Sequence, residues 1–386
     1  MNLLLELFSM QQPKKIIRAV TVAQSVGFFE PMVRDLQEQG YEIVSVSSDG
    51  PELERLRAKG MKTVVVEMER RMAPLKDVVS LVRLIRVCAK ERPYMVHSMT
   101  PKAGMLCMLA AWLTRVPRRV HTFTGLVWPT TKGMARRILM FTDWLTCACA
   151  THVLPEGRGV MEDLRQVTRK PMRVLGYGNV RGVDMEMFSR RPEVMARAAE
   201  LRKEGVFTFL FVGRLVGDKG INELVEAFAR LYEEWGERVR LVLVGPYEPQ
   251  LDPLRPEAER LIDALPSIEV VGAKSGDELR AWYAAADVFV FPSYREGFPN
   301  VVLEAGAMGL PSIVTDINGS REIIEEGKNG TIIPIKSSEA IYAAMKRMLQ
   351  HPEETATWAA QARFLIASRF ERSFVQQCLY NFYAQL

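Results

Sequence analysis

The sequence predicts an α/β protein built from two doubly wound parallel-sheet domains. Three observations carry that expectation. The chain has 386 residues, 48% hydrophobic and 25% charged, an ordinary globular composition at a length that suits two domains. Short β-branched runs alternate with helical patterns, which is how a parallel sheet covered on both faces reads. The alternation then restarts near residue 207, past the polar stretch "FSRRPE" at 188–193.

Taken in order, "IIRAVTV" (16–22) is a strand and "FFEPMVRDLQEQG" (28–40) a helix stopped by glycine. "EIVSVSS" (42–48), "TVVVE" (63–67), "YMVHSMT" (94–100) and "RRVHTFT" (118–124) are further strands, with a helix over "PLKDVVSLVRLIRVCAKERP" (74–93). The second round begins with strand "FTFLFVG" (207–213), helix "INELVEAFARLYEEW" (221–235) and strand "VRLVLVG" (239–245). It continues through helix 278–286, strand 288–293, helix 301–309, strand 311–316 and strand 330–335. The tail "RFERSFVQQCLYNFYAQL" (369–386) reads as one long amphipathic helix. The expected organisation is therefore an N-terminal domain over 1–190, a C-terminal domain over 191–368, and a final helix that crosses back to the first domain. Sheets of this kind carry their sites beyond the carboxyl ends of their strands. Two such sheets facing each other hold a ligand in the cleft between them.

Composition narrows the chemistry. Five scattered cysteines are no disulfide framework and suit a reducing cytoplasm. Cys147 and Cys149 read as small core residues. The opening "MNLLLELFSM" lacks the basic start and cleavage site of a signal peptide. The longest apolar run, "GMLCMLAAWLT" (104–114), is too short to span a bilayer. Residues 1–190 hold 29 Lys+Arg against 18 Asp+Glu, whereas the remainder holds 22 against 28. A basic N-terminal half suggests an anionic partner, whether lipid, phosphate-bearing acceptor or nucleic acid.

Several motifs can be set aside. "GYGNVRG" places Gly176, Gly178 and Gly182 at the wrong spacing for a dinucleotide loop, and no fitting helix or distal acid follows. No P-loop, H-E-x-x-H or C-x-x-C occurs. His97, His121, His152 and His351 lack metal-ligand spacing.

Two stretches remain. In "FVGRLVGDKGINELVEAF" (211–228), a strand ends in Gly213, Arg214 and Lys219 follow five apart, and a helix begins. Arg grips phosphate bidentately, Lys adds a point charge and the helix start adds partial positive charge. In "REGFPNVVLEAGAMGLP" (295–311), Glu296 lies just past a strand and Glu304 in the early turns of a helix, with Gly297 between them and Pro299 at an early helical position. Carboxylates accept from sugar hydroxyls, and backbone N–H groups take phosphate oxygens. A pair of N-terminal acids favoured by the helix dipole is the plainer alternative.

The stretch 287–334 resembles the donor-binding signature of family 4 glycosyltransferases, its E-x₇-E pair being Glu296 and Glu304. "GRLVGDKG" matches the family's second signature, and "HSMTPKAG" (97–104) and "HTFTG" (121–125) resemble bacterial members that build surface polysaccharides or lipid-linked glycans. The resemblance implies a GT-B fold of two Rossmann-like domains, a nucleotide-sugar donor such as a UDP-sugar, transfer with retention of configuration, and no metal or other cofactor. It implies that Glu304 binds the donor ribose and Glu296 the transferred sugar. Arg214 and Lys219 would hold the diphosphate, and His121 would approach the sugar from the N-terminal side. Gly297, Phe298, Pro299, Asn300, Gly213, Gly27 and Ala273 would supply further donor contacts. The linker carries Arg181 where the family usually has Asn, and the first loop has only Gly27 where many members have two glycines. The expected partners are the donor, a saccharide or lipid-linked acceptor and the periphery of an anionic membrane. A sugar-nucleotide epimerase or hydrolase on the same fold stays open. So does a basic nucleic-acid-binding protein, although no nucleic-acid motif or stacking platform is present.

Overall fold

The computed structural model describes residues 13–70, 72–250 and 252–386, so the reading of "MNLLLELFSM" falls outside the described residues. The chain divides into two compact units. One runs to Arg181 and also takes Gln376–Leu386; the other is Gly182–Val375.

The first unit holds strands β1 (Lys14–Ala19), β2 (Tyr41–Ser47), β3 (Lys62–Val65), β4 (Met95–Met99), β5 (Arg118–Phe123) and β6 (His152–Pro155). They form one parallel sheet in the order β3-β2-β1-β4-β5-β6. Its helices are α1 (Val33–Glu38), α2 (Glu52–Ala58), α3 (Pro74–Glu91), α4 (Pro101–Leu113), α5 (Gly133–Cys149) and α6 (Arg158–Leu164). Leu84, Leu106, Cys107 and Cys147 bring α3, α4 and α5 into the core on one face of the sheet. Leu36 of α1 and Leu53 and Leu56 of α2 pack in a second core with Tyr380 and Tyr383 from the chain's end. Cys147 and Cys149 are both buried, as small core residues.

The second unit holds β7 (Phe207–Val212), β8 (Val239–Val244), β9 (Ile268–Gly272), β10 (Val288–Phe291), β11 (Ser312–Thr315) and β12 (Gly330–Ile333), again all parallel, in the order β12-β11-β10-β7-β8-β9. Its helices are α7 (Pro192–Leu201), α8 (Ile221–Trp235), α9 (Pro256–Ala264), α10 (Gly276–Ala285), α11 (Asn300–Ala307), α12 (Ser320–Ile323), α13 (Ser338–Gln350), α14 (Pro352–Phe370) and the start of α15 (Arg372–Ala384). Both sheets are doubly wound. Strand order reverses between β1 and β4 in the first and between β7 and β10 in the second. Those two seams are where ligands bind in folds of this kind.

Two expectations need correction. The helix expected over 28–40 is a pair of 3-10 turns, Ala23–Phe28 and Glu30–Met32, followed by the six-residue α1. Pro31 lacks the N–H needed to continue an earlier helix, so the regular helix starts only after it. The tail is likewise two helices. Glu371 has ψ of 137°, which ends α14 at Phe370. Its carboxylate then accepts from the Ser373 N–H at 2.6 Å and restarts the chain as α15.

The last turns of α15 are anchored in the first unit by a buried polar chain. Arg18, 1% exposed, donates to the Tyr383 hydroxyl at 2.5 Å. That hydroxyl donates to His97 Nδ1 at 2.5 Å, and His97 Nε2 donates to Thr122 Oγ1 at 2.8 Å. Burial lowers the His97 pKa well below the ordinary value, so the ring is neutral, and the Arg18 guanidinium 3.3 Å from Nδ1 makes that nitrogen the acceptor.

Candidate active site

The seam of the second sheet is built by two strand ends pressed together. Past β7, Gly213 donates its N–H to Val244 O at 2.9 Å. A Cβ on Gly245 would lie 1.8 Å from the Gly213 carbonyl oxygen, so the two strands close on each other only because residue 245 is glycine. Arg214 follows, 42% exposed at its side chain, with Nη1 3.5 Å from Glu248 Oε2. The chain then turns through Gly217–Lys219 into α8. Gly220, at φ +73°, lies so close to β10 that a Cβ would sit 2.1 Å from the Pro292 carbonyl oxygen. Gly220→Ala is therefore expected to cost at least ~2 kcal/mol, read as a lowered urea midpoint at unchanged m-value. A midpoint equal to wild type would mean that the turn is not pressed against β10.

That close approach sets the charges. Tyr294 N–H donates to Asp218 O at 2.9 Å, tying the turn to the segment after β10. The Lys219 ammonium and the Glu296 carboxylate meet in an ion pair, with only 14% and 20% of their side chains exposed. Ser293 donates to the same Glu296 Oε1 at 3.1 Å. The Phe291 ring centroid lies 5.8 Å from Lys219 Nζ, a cation–π contact. Arg295 reaches Asp218 Oδ2 at 3.5 Å, a partner that its place in the sequence did not reveal. At the seam, then, an acid and a base compensate each other on a framework of backbone hydrogen bonds.

Beyond Glu296, Gly297, Phe298 and Pro299 are buried. The Phe298 ring packs against Phe370 at 5.4 Å, so its side chain belongs to the core. Pro299 is the residue before α11, with extended ψ of 105°, rather than an early helical position; Asn300 opens the helix. The reason lies in its neighbour. A Cβ on Gly319 would come within 2.6 Å of Gly297 O and of Phe298 Cα, so Gly319, at φ +74°, supports the whole 297–299 turn. Glu304 lies in the second turn of α11, where the Tyr283 hydroxyl donates to its Oε2 at 3.2 Å. Burial, with Glu304 beside it, raises the Tyr283 pKa well above the ordinary value, so this hydroxyl remains a donor.

The other sequence candidates fall elsewhere. Ala273 is exposed just past β9, at the same edge of the sheet as Gly213. Gly27 lies in the first unit, in the 3-10 turn after β1, where nothing stands within 4 Å of an added Cβ. His121 lies within β5 and is 1% exposed. Its Nδ1 pairs with Ser98 Oγ at 2.8 Å, and a Cβ on Gly104 would come 2.4 Å from its ring. Burial pushes its pKa down to about 3, so the imidazole is neutral near pH 7, with one ring nitrogen a donor and the other an acceptor. At the first sheet's seam, Thr100 follows β4 at φ +68°, a strained backbone for threonine. Thr100 Oγ1 accepts from Thr21 N–H at 3.0 Å and holds it there.

Sequence reasoning missed Ser293, Tyr283, Gly220 and Gly319. Tyr283, Gly220 and Gly319 act through contacts distant in the chain, whereas Ser293 acts on Glu296 three residues on. Among the described residues, no three His, Cys, Asp or Glu side chains come together as a metal site.

Two family models match the chain: a glycosyl transferase 4-like domain over residues 28–178, and glycosyl transferases group 1 over residues 195–364. A capsular polysaccharide biosynthesis glycosyltransferase, CapM of Staphylococcus aureus, is 27% identical over 96% of this chain and 97% of its own length. The Escherichia coli UDP-Gal:alpha-D-GlcNAc-diphosphoundecaprenol alpha-1,3-galactosyltransferase is 28% identical over 72% of each chain. Among solved structures, Anabaena Alr3699/HepE in complex with UDP superposes with a TM-score of 0.79 at 18% identity, covering 97% of this chain and 100% of its own. At that identity the likeness speaks to fold, and the fold is GT-B.

Proposed function

Because the chain belongs to the group 1 glycosyltransferases with a 4-like domain ahead, we propose that it transfers a sugar from a UDP-sugar to a lipid-linked saccharide during surface polysaccharide assembly. The observation that carries the reading is the meeting of Lys219 and Glu296 at the β7/β10 seam, with Arg214 at the same strand end. A diphosphate needs cations, a sugar needs hydrogen-bond acceptors, and this seam supplies both within one ion pair. The CapM likeness supports the pathway, and the E. coli relative, whose name holds both UDP-Gal and a lipid diphosphate, supports donor and acceptor.

On this reading the donor diphosphate takes the Lys219 ammonium with Arg214. Glu296, released from Lys219, accepts from hydroxyls of the transferred sugar. Glu304, steadied by Tyr283, accepts from the ribose. The bond from the anomeric carbon to the diphosphate oxygen breaks with both electrons on the departing UDP. The acceptor hydroxyl oxygen attacks from the same face and passes its proton to a departing phosphate oxygen, so configuration is retained. The cations stabilise the charge that develops on the diphosphate. His121, buried and neutral, is given no proton to move.

A thermal-shift panel of UDP, GDP, ADP and their sugars tests the donor. At a hundred times its Kd a ligand stabilises by ~2.7 kcal/mol, so UDP and UDP-sugars are expected to raise the melting temperature by several degrees while GDP and ADP do not. A shift with GDP alone would overturn the UDP reading. UDP-sugar consumption that needs no acceptor would favour an epimerase or hydrolase instead.

A further inference from the structure

We propose that the seat of the chain's last turns in the first unit is an acid-released clip, closed only while His97 is neutral. From Gln376 onward α15 belongs to the first unit. Leu379, Tyr380, Phe382 and Tyr383 are buried there in one core with Phe29 and Leu36. The sheet beneath them is polar, because Arg18 of β1 stands in register with His97 of β4. Arginine keeps its proton at any working pH, and this one is 1% exposed. Its guanidinium reaches the Tyr383 hydroxyl at 2.5 Å, His97 Nδ1 at 3.3 Å and Met99 Sδ at 3.4 Å. It lies 5.0 Å from the Phe29 ring centroid, and its Nε has no hydrogen-bond partner. None of these contacts is a carboxylate.

A buried charge without a counterion makes a second positive charge beside it costly. Protonating His97 would place that second charge 3.3 Å from the guanidinium and turn the acceptor of the Tyr383 hydroxyl into a donor. The titratable groups around the ring are Arg18 from β1, His121 from β5 and Tyr383 from α15. Burial first, then Arg18 and His121, lowers the His97 pKa. The docked tail therefore refuses a proton that the hydrated ring takes up once the tail has left. With the docked pKa below the undocked one, docking is at full strength above about pH 6.5 and weakens about tenfold per pH unit below it. The rest of the seat does not offset this. Arg118 Nε donates to Leu386 O at 2.8 Å and Arg173 Nη1 to Gln385 Oε1 at 2.7 Å, and both arginines stay charged. His152 of β6 lies edge-on to Phe382 at 5.7 Å. Burial, then Arg118 and Lys170, lowers its pKa too, so it acts in the same direction. Tyr41 of β2 meets the Tyr383 ring edge-on at 6.3 Å. Asp35 of α1, which accepts from the Tyr380 hydroxyl at 2.8 Å, is the acid in the set.

Hydrogen–deuterium exchange of the full chain between about pH 8 and pH 5, corrected for the intrinsic pH dependence of exchange, tests the clip. Protection of the amides of 379–384 is expected to be level above about pH 6.5 and to fall about tenfold per unit below it, while β1 and β4 stay protected. His97→Gln, which keeps an acceptor and a donor but takes no proton, should flatten that fall. Asp35→Asn should leave it in place. Level protection of the wild-type tail down to pH 5 would overturn the proposal. So would a fall shared equally by β1 and β4, a slope that persists in His97→Gln, or one that vanishes in Asp35→Asn. If His97→Gln does not fold, the wild-type His97 ring followed by NMR decides. Its titration should coincide with release of the tail, and a ring that charges while the tail stays protected would refute the clip.

Discussion

Lys219→Met is expected to lower kcat for sugar transfer by about 10²–10³-fold, the scale of losing one preorganised group that stabilises transition-state charge. The substitution also has a structural cost, because Glu296 would keep only Ser293 among its contacts described above. With both side chains mostly buried, stability should fall by ~1–3 kcal/mol. The two losses can be separated. In Lys219→Met/Glu296→Gln the neutral amide no longer needs a cation, so the urea midpoint should recover most of the way toward wild type. Activity should stay at or below that of Lys219→Met. If activity returns with stability, Lys219 serves only to neutralise Glu296, and the diphosphate role is wrong. Arg214→Met offers a comparison. Arg214 is more exposed and only 3.5 Å from Glu248, so its loss should cost activity with less than ~1 kcal/mol of stability.

How much of this could be read in the chain follows the range of each signal. Period and β-branching are local, so the buried strands "FTFLFV" and "VFVF" stand where the sequence expected them, and α8 matches its expected span over 221–235. The strands β6 and β9 and the helices α2, α4, α5, α6, α7, α9, α12, α13 and α14 carried no pattern strong enough to be singled out. Pro31 was visible, yet its effect depends on the chain bending through two 3-10 turns. The same divide runs through the site. Arg214, Lys219, Glu296 and Glu304 announce themselves by residue type and position after strands. What positions them does not. Gly220 reads as one glycine among 26 until Pro292 O is found under it, and Tyr283 reads as helix core until its hydroxyl is traced to Glu304. His121 shows the reverse case: a motif singled it out, and only the structure shows it buried beneath Gly104 with Nδ1 held by Ser98 Oγ.

The two glutamates should fail in different ways. Glu304→Ala is expected to raise the Kd for UDP by about 10–100-fold, since hydrogen bonds to a charged acceptor are worth ~1.5–3 kcal/mol. UDP alone reports this, because the ribose is part of UDP. Glu296→Ala should leave UDP binding nearly unchanged and weaken only the intact UDP-sugar, because in the proposed function its hydroxyl partners lie on the transferred sugar. Tyr283→Phe supplies the intermediate case. It keeps the Glu304 charge and removes the 3.2 Å hydrogen bond that fixes it. UDP affinity should then fall by about 3–10-fold with kcat little changed, the pattern of a positioning residue. Isothermal titration with UDP and with UDP-sugar measures all three variants on both ligands. If Glu296→Ala weakens UDP as much as Glu304→Ala does, the carboxylates do not divide sugar from ribose. The Lys219–Glu296 pair would then be a fixture of the diphosphate pocket, with the sugar contacts to be sought on other residues.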